Sequence, residues 1–178
     1  MNELRRAIWL TFCVALCTAF FGCANLGAPG GSGLGTVAAP LTTSSAIGQG
    51  DAVRDASLRV VIDGLDEDRA GRPSRALARY QRAVRIDATN PFAYLALARH
   101  HLEYGSPGEA NAFLDQARAL FESEGRLGPE VDVWGIGLRA WADRSQGLHS
   151  SADARFDAAR RLSPRIWDDE LLSAGELR

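Results

Sequence analysis

The chain has no lysine: all 20 basic residues among its 178 are arginine. We read this bias mainly as the codon usage of a GC-rich genome, although arginine also makes more directional surface contacts than lysine. An excess of charge is missing as well. Twenty basic against 22 acidic residues leave a net charge of −2 and an isoelectric point near 5.9, which argues against nucleic acid as a partner. Cysteine stops early: Cys13, Cys17 and Cys23 are the only three, so no later residue supplies a thiol nucleophile or a disulfide. His-Glu-x-x-His, Gly-x-Ser-x-Gly and a phosphate loop are all absent, which leaves no motif for a metalloprotease, a serine hydrolase or a nucleotidase. Of the three histidines, His100 and His101 are adjacent and point about 100° apart on a helix, so they cannot share a metal; His149, two residues after Gly147, is expected in a turn. No catalytic residue, no metal ligand set, no cofactor and no small-molecule substrate is expected.

What is present begins with an N-terminal leader. Arg5 and Arg6 give a positive start, Ala7 to Phe21 form an almost unbroken apolar run, and Gly22-Cys23-Ala24-Asn25 follows. These are the parts of a secretory signal, and the run is shorter than the ~20 residues of a comfortable membrane span. The Gly-Cys pair resembles the lipobox of bacterial lipoproteins, with Phe20 standing where leucine is usual. That resemblance implies cleavage before Cys23 and a covalent lipid on its thiol. Ala24, where the family's inner-membrane proteins tend to carry aspartate, implies sorting to the outer membrane with the chain facing the periplasm. The other reading is an uncleaved anchor helix with a buried cysteine. Removal of residues 1–22 would take Cys13 and Cys17 with it and leave a chain that folds on its apolar core alone.

From Ala24 to about Gly50 the sequence is rich in glycine, alanine, serine, threonine and proline and carries no charge. This composition is that of a flexible linker. About 28 such residues give a root-mean-square reach of roughly 30 Å, so that a folded head can stand off from its anchor. The expected organisation is a leader over 1–22, a lipidated cysteine and linker over 23–52, and a helical domain over 53–178.

The domain repeats itself. Ala76, Tyr80 and Ala83 recur as Ala110, Leu114 and Ala117 after 34 residues, and as Ala152, Phe156 and Ala159 after a further 42, one period with eight residues inserted. Gly71, Gly105 and Gly147 each precede the first alanine of their set by five. A 34-residue period with glycine between two helical patterns resembles the tetratricopeptide repeat, over roughly residues 57–166. The second copy, Pro91 to about Glu124, keeps Tyr94, Leu97, Ala98, Gly105, Ala110, Leu114 and Ala117, with His101 replacing the usual tyrosine. Asp63 and Arg139 interrupt the leucine position of the outer copies. The resemblance implies an all-α stack of about three helix pairs, and the amphipathic stretch after Pro164 predicts a C-terminal capping helix. The insert 125–132 either lengthens the third repeat's first helix, since Pro129 suits a helix start, or forms a loop.

In the family that the repeats resemble, the first helix of each pair lines the ligand groove. Its groove positions project onto Leu58, Val61, Leu65 and Arg69 in copy one, onto Phe92, Leu95, Arg99 and Leu102 in copy two, and onto Trp134, Trp141 and Arg144 in copy three. Such a surface of aromatic, aliphatic and guanidinium groups is the composition of interface anchors. It implies a peptide segment or another envelope protein as partner; alternatively the tryptophans pack on the insert or the capping helix. A second feature, Arg72, Arg75, Arg79, Arg82 and Arg85, lies on one helix face. It offers contact to an acidic partner or to phosphate head groups, or is simply a solvated face in part neutralised by Asp66, Glu67, Asp68 and Asp87. Together these readings describe a lipid-anchored adaptor. Its role is either assembly of a pilus, secretin or outer-membrane machine, or activation of a peptidoglycan synthase. A periplasmic enzyme or wall-binding module is the alternative from another class.

Overall fold

Six helices fold as three consecutive hairpins, and the sequence supplies their stops and starts. In the computed structural model, which describes residues 39–178, they are α1 (Ala52–Arg69), α2 (Pro73–Ile86), α3 (Pro91–Glu103), α4 (Pro107–Ser123), α5 (Pro129–Ser145) and α6 (His149–Leu162). Two single turns follow, α7 (Pro164–Trp167) and α8 (Ala174–Leu177). The leader, Cys23 and the first part of the linker lie outside the described residues. No strand occurs among the described residues.

Proline occupies the first turn of α2, α3, α4 and α5, where its missing N–H would have no helical partner anyway. Asp51 caps α1 by accepting from the Arg54 amide at 2.8 Å, and Asn90 caps α3 by accepting from the Phe92 amide at 3.0 Å. Within each hairpin the first helix ends on a glycine in the left-handed region: Gly71, Gly105 and Gly147, with φ of 69°, 92° and 78°. The residue after each glycine donates its amide five positions back, Arg72 to Glu67, Ser106 to His101 and Leu148 to Asp143. That bond closes the helix end and turns the chain into its partner helix. The sequence period of glycines is therefore a period of helix ends.

Each hairpin closes on the residues that define the repeat. Ala76, Ala110 and Ala152 are completely buried, as are Ala83 and Ala159, while Tyr80, Leu114 and Phe156 fill the layer one turn on. Close approach at α1 depends on Gly64, where a Cβ would stand 2.4 Å from the Tyr80 ring. Successive hairpins stack, so that α1, α3 and α5 pack side by side and form one face, which we call the odd-helix face. The insert resolves into both of its expected forms: Gly125 to Gly128 is a short loop, and Pro129 starts a 17-residue α5.

Both ends of the described chain fold back onto the odd-helix face, and here the structure goes beyond the sequence pattern. The cap is a single turn: Trp167 of α7 is fully buried, against Phe156 with ring centroids 6.1 Å apart, and over Gly137. The chain then reverses and ends in α8, which packs on α1. At the other end, residues 41–47 of the expected linker are docked. Leu41 donates to the Glu130 carbonyl and accepts from the Trp134 indole, both at 2.9 Å, and Thr43 and Ala46 are buried. The physical reason lies in the composition: residues 41–47 still carry Leu41, Ala46 and Ile47, which have apolar surface to bury, whereas the glycine-rich part before them has little. The two ends also meet, Thr43 bonding the Leu177 carbonyl through both its amide and its hydroxyl.

Candidate functional site

The eleven residues projected as a groove lie on α1, α3 and α5, and most of them are buried. Leu58, Val61 and Leu65 of α1, Phe92, Leu95, Arg99 and Leu102 of α3, and Trp134 of α5 are all buried. Residues 41–49 and 168–178 account for part of that cover. Leu58 and Phe92 share a cleft of about 430 Å³ with Ala46, Gln49 and Gly50, and Phe92 also meets Phe121 edge-on at 5.3 Å. Trp134 is held by its indole bond to Leu41, so of the two tryptophans only Trp141 stays partly open. Arg144 pairs with Asp153 and Glu170 and lies over the Phe156 ring at 5.2 Å.

Arg69 is the residue that the structure moves. It lies exposed and pairs with Asp66 at 3.0 Å, while its neighbour Asp68 points inward. The reason is the repeat itself. Counting back 34 residues from Phe92, Leu95 and Leu102 gives Leu58, Val61 and Asp68, so strict periodicity selects Asp68 at this position.

Asp68 organises a buried polar cluster that the sequence reading did not assemble. Its carboxylate accepts from Tyr80 Oη and from Arg99 Nη1, each at 2.9 Å, and faces His100 Nδ1 at 3.2 Å. Arg99 also pairs with Glu103, and its Nε donates to the Leu172 carbonyl at 2.9 Å. Burial, and next the neighbouring Asp68 carboxylate, push the Tyr80 hydroxyl well above the ordinary tyrosine range, so it remains a proton donor. A buried aspartate that accepts from Tyr80 and Arg99 is a structural unit, since removing its charged partner would leave an uncompensated charge. Yet the Arg99 guanidinium reaches past the cluster to a backbone carbonyl on the odd-helix face. Beside it, a hollow of about 510 Å³ stays open between Arg69, Arg99, Glu103, Trp141 and residues 171–175.

The arginine stripe runs along α2, exposed except for the half-buried Arg79, and little of it is directly paired. Arg72 pairs with Glu67, whereas Arg75, Arg79, Arg82 and Arg85 have no carboxylate within 4.0 Å among the described residues. The other three acids expected to neutralise it are engaged elsewhere: Asp66 with Arg69 and Arg178, Asp68 inside the cluster, and Asp87 with Arg54. His101 packs at 5.2 Å from the Phe113 ring, and burial, opposed by Glu109, lowers its pKa below the ordinary histidine value. Among the described residues no group of three or more histidine, cysteine or acidic side chains is placed to hold a metal. No helix among them is long and apolar enough to cross a membrane.

Comparison with known proteins agrees with the repeat. No curated protein and no solved structure matches the chain. The tetratricopeptide repeat family model matches residues 69–125, from the end of α1 through α3 and α4 to Gly125. Over this central third the chain is similar to a tetratricopeptide repeat, a module that in general binds other proteins and is not catalytic.

Proposed function

We propose that the chain is a lipid-anchored adaptor of the bacterial cell envelope. In this reading Cys23 carries the lipid, the uncharged linker gives reach, and the helical head at residues 41–178 binds another envelope protein in the periplasm. The role we favour is assembly of a pilus, secretin or outer-membrane machine; activation of a peptidoglycan synthase is the second, favoured by the length of the linker. The observation that carries the adaptor reading is the stack of three tetratricopeptide-like hairpins. The leader with its Gly22-Cys23 pair supports the anchor.

Each half has its own test. Replacing Cys23 with serine should abolish uptake of labelled fatty acid and release the chain from membranes; a wild-type chain that takes up no label would refute the anchor. For the head, a photo-reactive residue at Trp141 or Tyr104, the latter 47% exposed, should give discrete protein adducts in living cells. Absence of any adduct from both positions, with function retained, would refute the adaptor.

A further inference from the structure

Residues 168–178 are held in a way that a chain end does not require. Glu170 is the one residue other than glycine with positive φ among those described, at 62°, a conformation that is unfavourable for an L-residue. Two ion pairs fix it there, with Arg144 at 2.5 Å and with Arg160 at 3.1 Å. Past this turn, Leu172, Ala174 and Leu177 are buried while Leu171 is half-exposed. Ser173 and Glu176 form a capping box that satisfies the polar groups of the turn internally. Arg99 bonds the Leu172 carbonyl, Arg178 pairs with Asp66, and Thr43 and Ser44 donate to the Leu177 and Arg178 carbonyls, so the segment is tied at a few separate points. The segment does not fill its surroundings, because the hollow beside Arg99 and Trp141 stays open. Its chemistry is also distinctive. Asp168, Asp169, Glu170 and Glu176 outnumber the single Arg178, and Arg69, Arg99, Arg144 and Arg160 stand around it.

From this geometry we infer that the odd-helix face is a peptide-docking site that carries residues 168–178 as an internal ligand. The partner is an acidic segment with two leucine-sized side chains and a free backbone carbonyl, and it binds by taking the place of that segment. The inference rests on the adaptor reading and specifies what the head accepts. Release of the segment frees the strained turn at Glu170 and leaves Arg99 Nε without its acceptor. Arg99 keeps Asp68 and Glu103, and an incoming chain that presents a carbonyl at that point restores the one bond lost, since a buried donor left without an acceptor is costly. Charge complementarity selects an acidic chain over a basic one.

The test compares the full chain in detergent with a chain ending at Trp167, using a labelled synthetic peptide of residues 168–178. The shortened chain should bind the peptide with a Kd on the order of micromolar and regain thermal stability with it. The full chain should bind at least about tenfold more weakly, because its own segment competes. Peptide in which both leucines corresponding to Leu172 and Leu177 are alanine should lose at least about tenfold in affinity. Equal binding by both chains, or none by a folded shortened chain at about 1 mM peptide, would overturn the proposal. If the full chain instead dimerises by exchanging its ends, the occupant is a second copy and the proposal also fails. If the shortened chain does not fold, hydrogen exchange on the full chain decides. Amides of 171–177 exchanging at least about 100-fold faster than those of α3 support displacement, and equal protection refutes it. Cellular adducts from Tyr104 report on the adaptor reading independently, so that either idea can fail alone.

Discussion

Two glycines in one helix are expected to respond to the same substitution with opposite sign. Gly135 and Gly137 both lie inside α5, and replacing an interior glycine by alanine normally stabilises a helix by about 1 kcal/mol. At Gly135 a new Cβ meets nothing within 4 Å, so Gly135→Ala should keep most of that gain. At Gly137 the Cβ would lie 2.1 Å from Cε2 and Cζ2 of Trp167, and 2.5 Å from its Cη2. The indole is rigid and fully buried against Phe156, so it has no room to retreat. Overpacking of this kind costs about 1–3 kcal/mol, and three ring carbons at these distances put the cost at the upper end. The net effect of Gly137→Ala is then a loss of roughly 1–2 kcal/mol, or a fall in Tm of about 3–6 °C for a domain of this size. Gly135→Ala should raise Tm by about 2 °C. Thermal unfolding followed by circular dichroism measures both. If both variants were stabilised, Trp167 would not be seated on Gly137, and the account of how the stack is capped would fail.

Tyr80→Phe should lower stability by about 1.5–3 kcal/mol, since it removes a donor from a buried carboxylate, and denaturant unfolding would detect it; a loss below about 0.5 kcal/mol would contradict burial of the Asp68 cluster. Asp87 gives a pH signature. Burial raises its pKa, but the hydrogen bond from Arg54 and those from Thr89 outweigh that and hold the carboxyl below its ordinary value of 3.8. A carboxyl depressed in the folded state contributes stability above its unfolded value, and the contribution is lost as pH falls through the folded one. Asp87→Asn should therefore be less stable than the wild type at pH 7, with the gap closing below about pH 4. A gap unchanged down to pH 3 in urea titrations would refute this.

The parts of the fold legible in the sequence were those repeated in it. Three sets of alanine, large residue and alanine, each preceded by a glycine, mark the hairpins. They are legible because helix crossing and the left-handed helix end each demand one residue type at one offset. The candidate site was less legible. The projected positions lie on α1, α3 and α5, yet beyond the alternative that the tryptophans pack on the insert or the capping helix, the sequence does not show that residues 41–47 and 168–178 cover them. The segment Asp168–Arg178 makes only one short helical turn and shows no periodicity, and its placement depends on contacts with residues distant in sequence, such as Arg99 with the Leu172 carbonyl and Thr43 with that of Leu177. Likewise Leu41 and Ala46 sit in a composition that reads as linker until the apolar face beside them is known. The slip from Asp68 to Arg69 has a simpler origin, since a strict count of 34 from Leu102 identifies the inward residue.

The central claim is that the face expected to receive a partner is occupied by the chain's own C-terminal segment. The most direct measurement is the nuclear magnetic resonance signal of the Arg99 side-chain Nε–H in the full chain. Bonded to the Leu172 carbonyl and buried, as found here, that proton should be visible, exchange slowly with water and show cross-peaks to Leu172. A rapidly exchanging Arg99 proton, together with random-coil shifts over residues 168–178, would contradict the account.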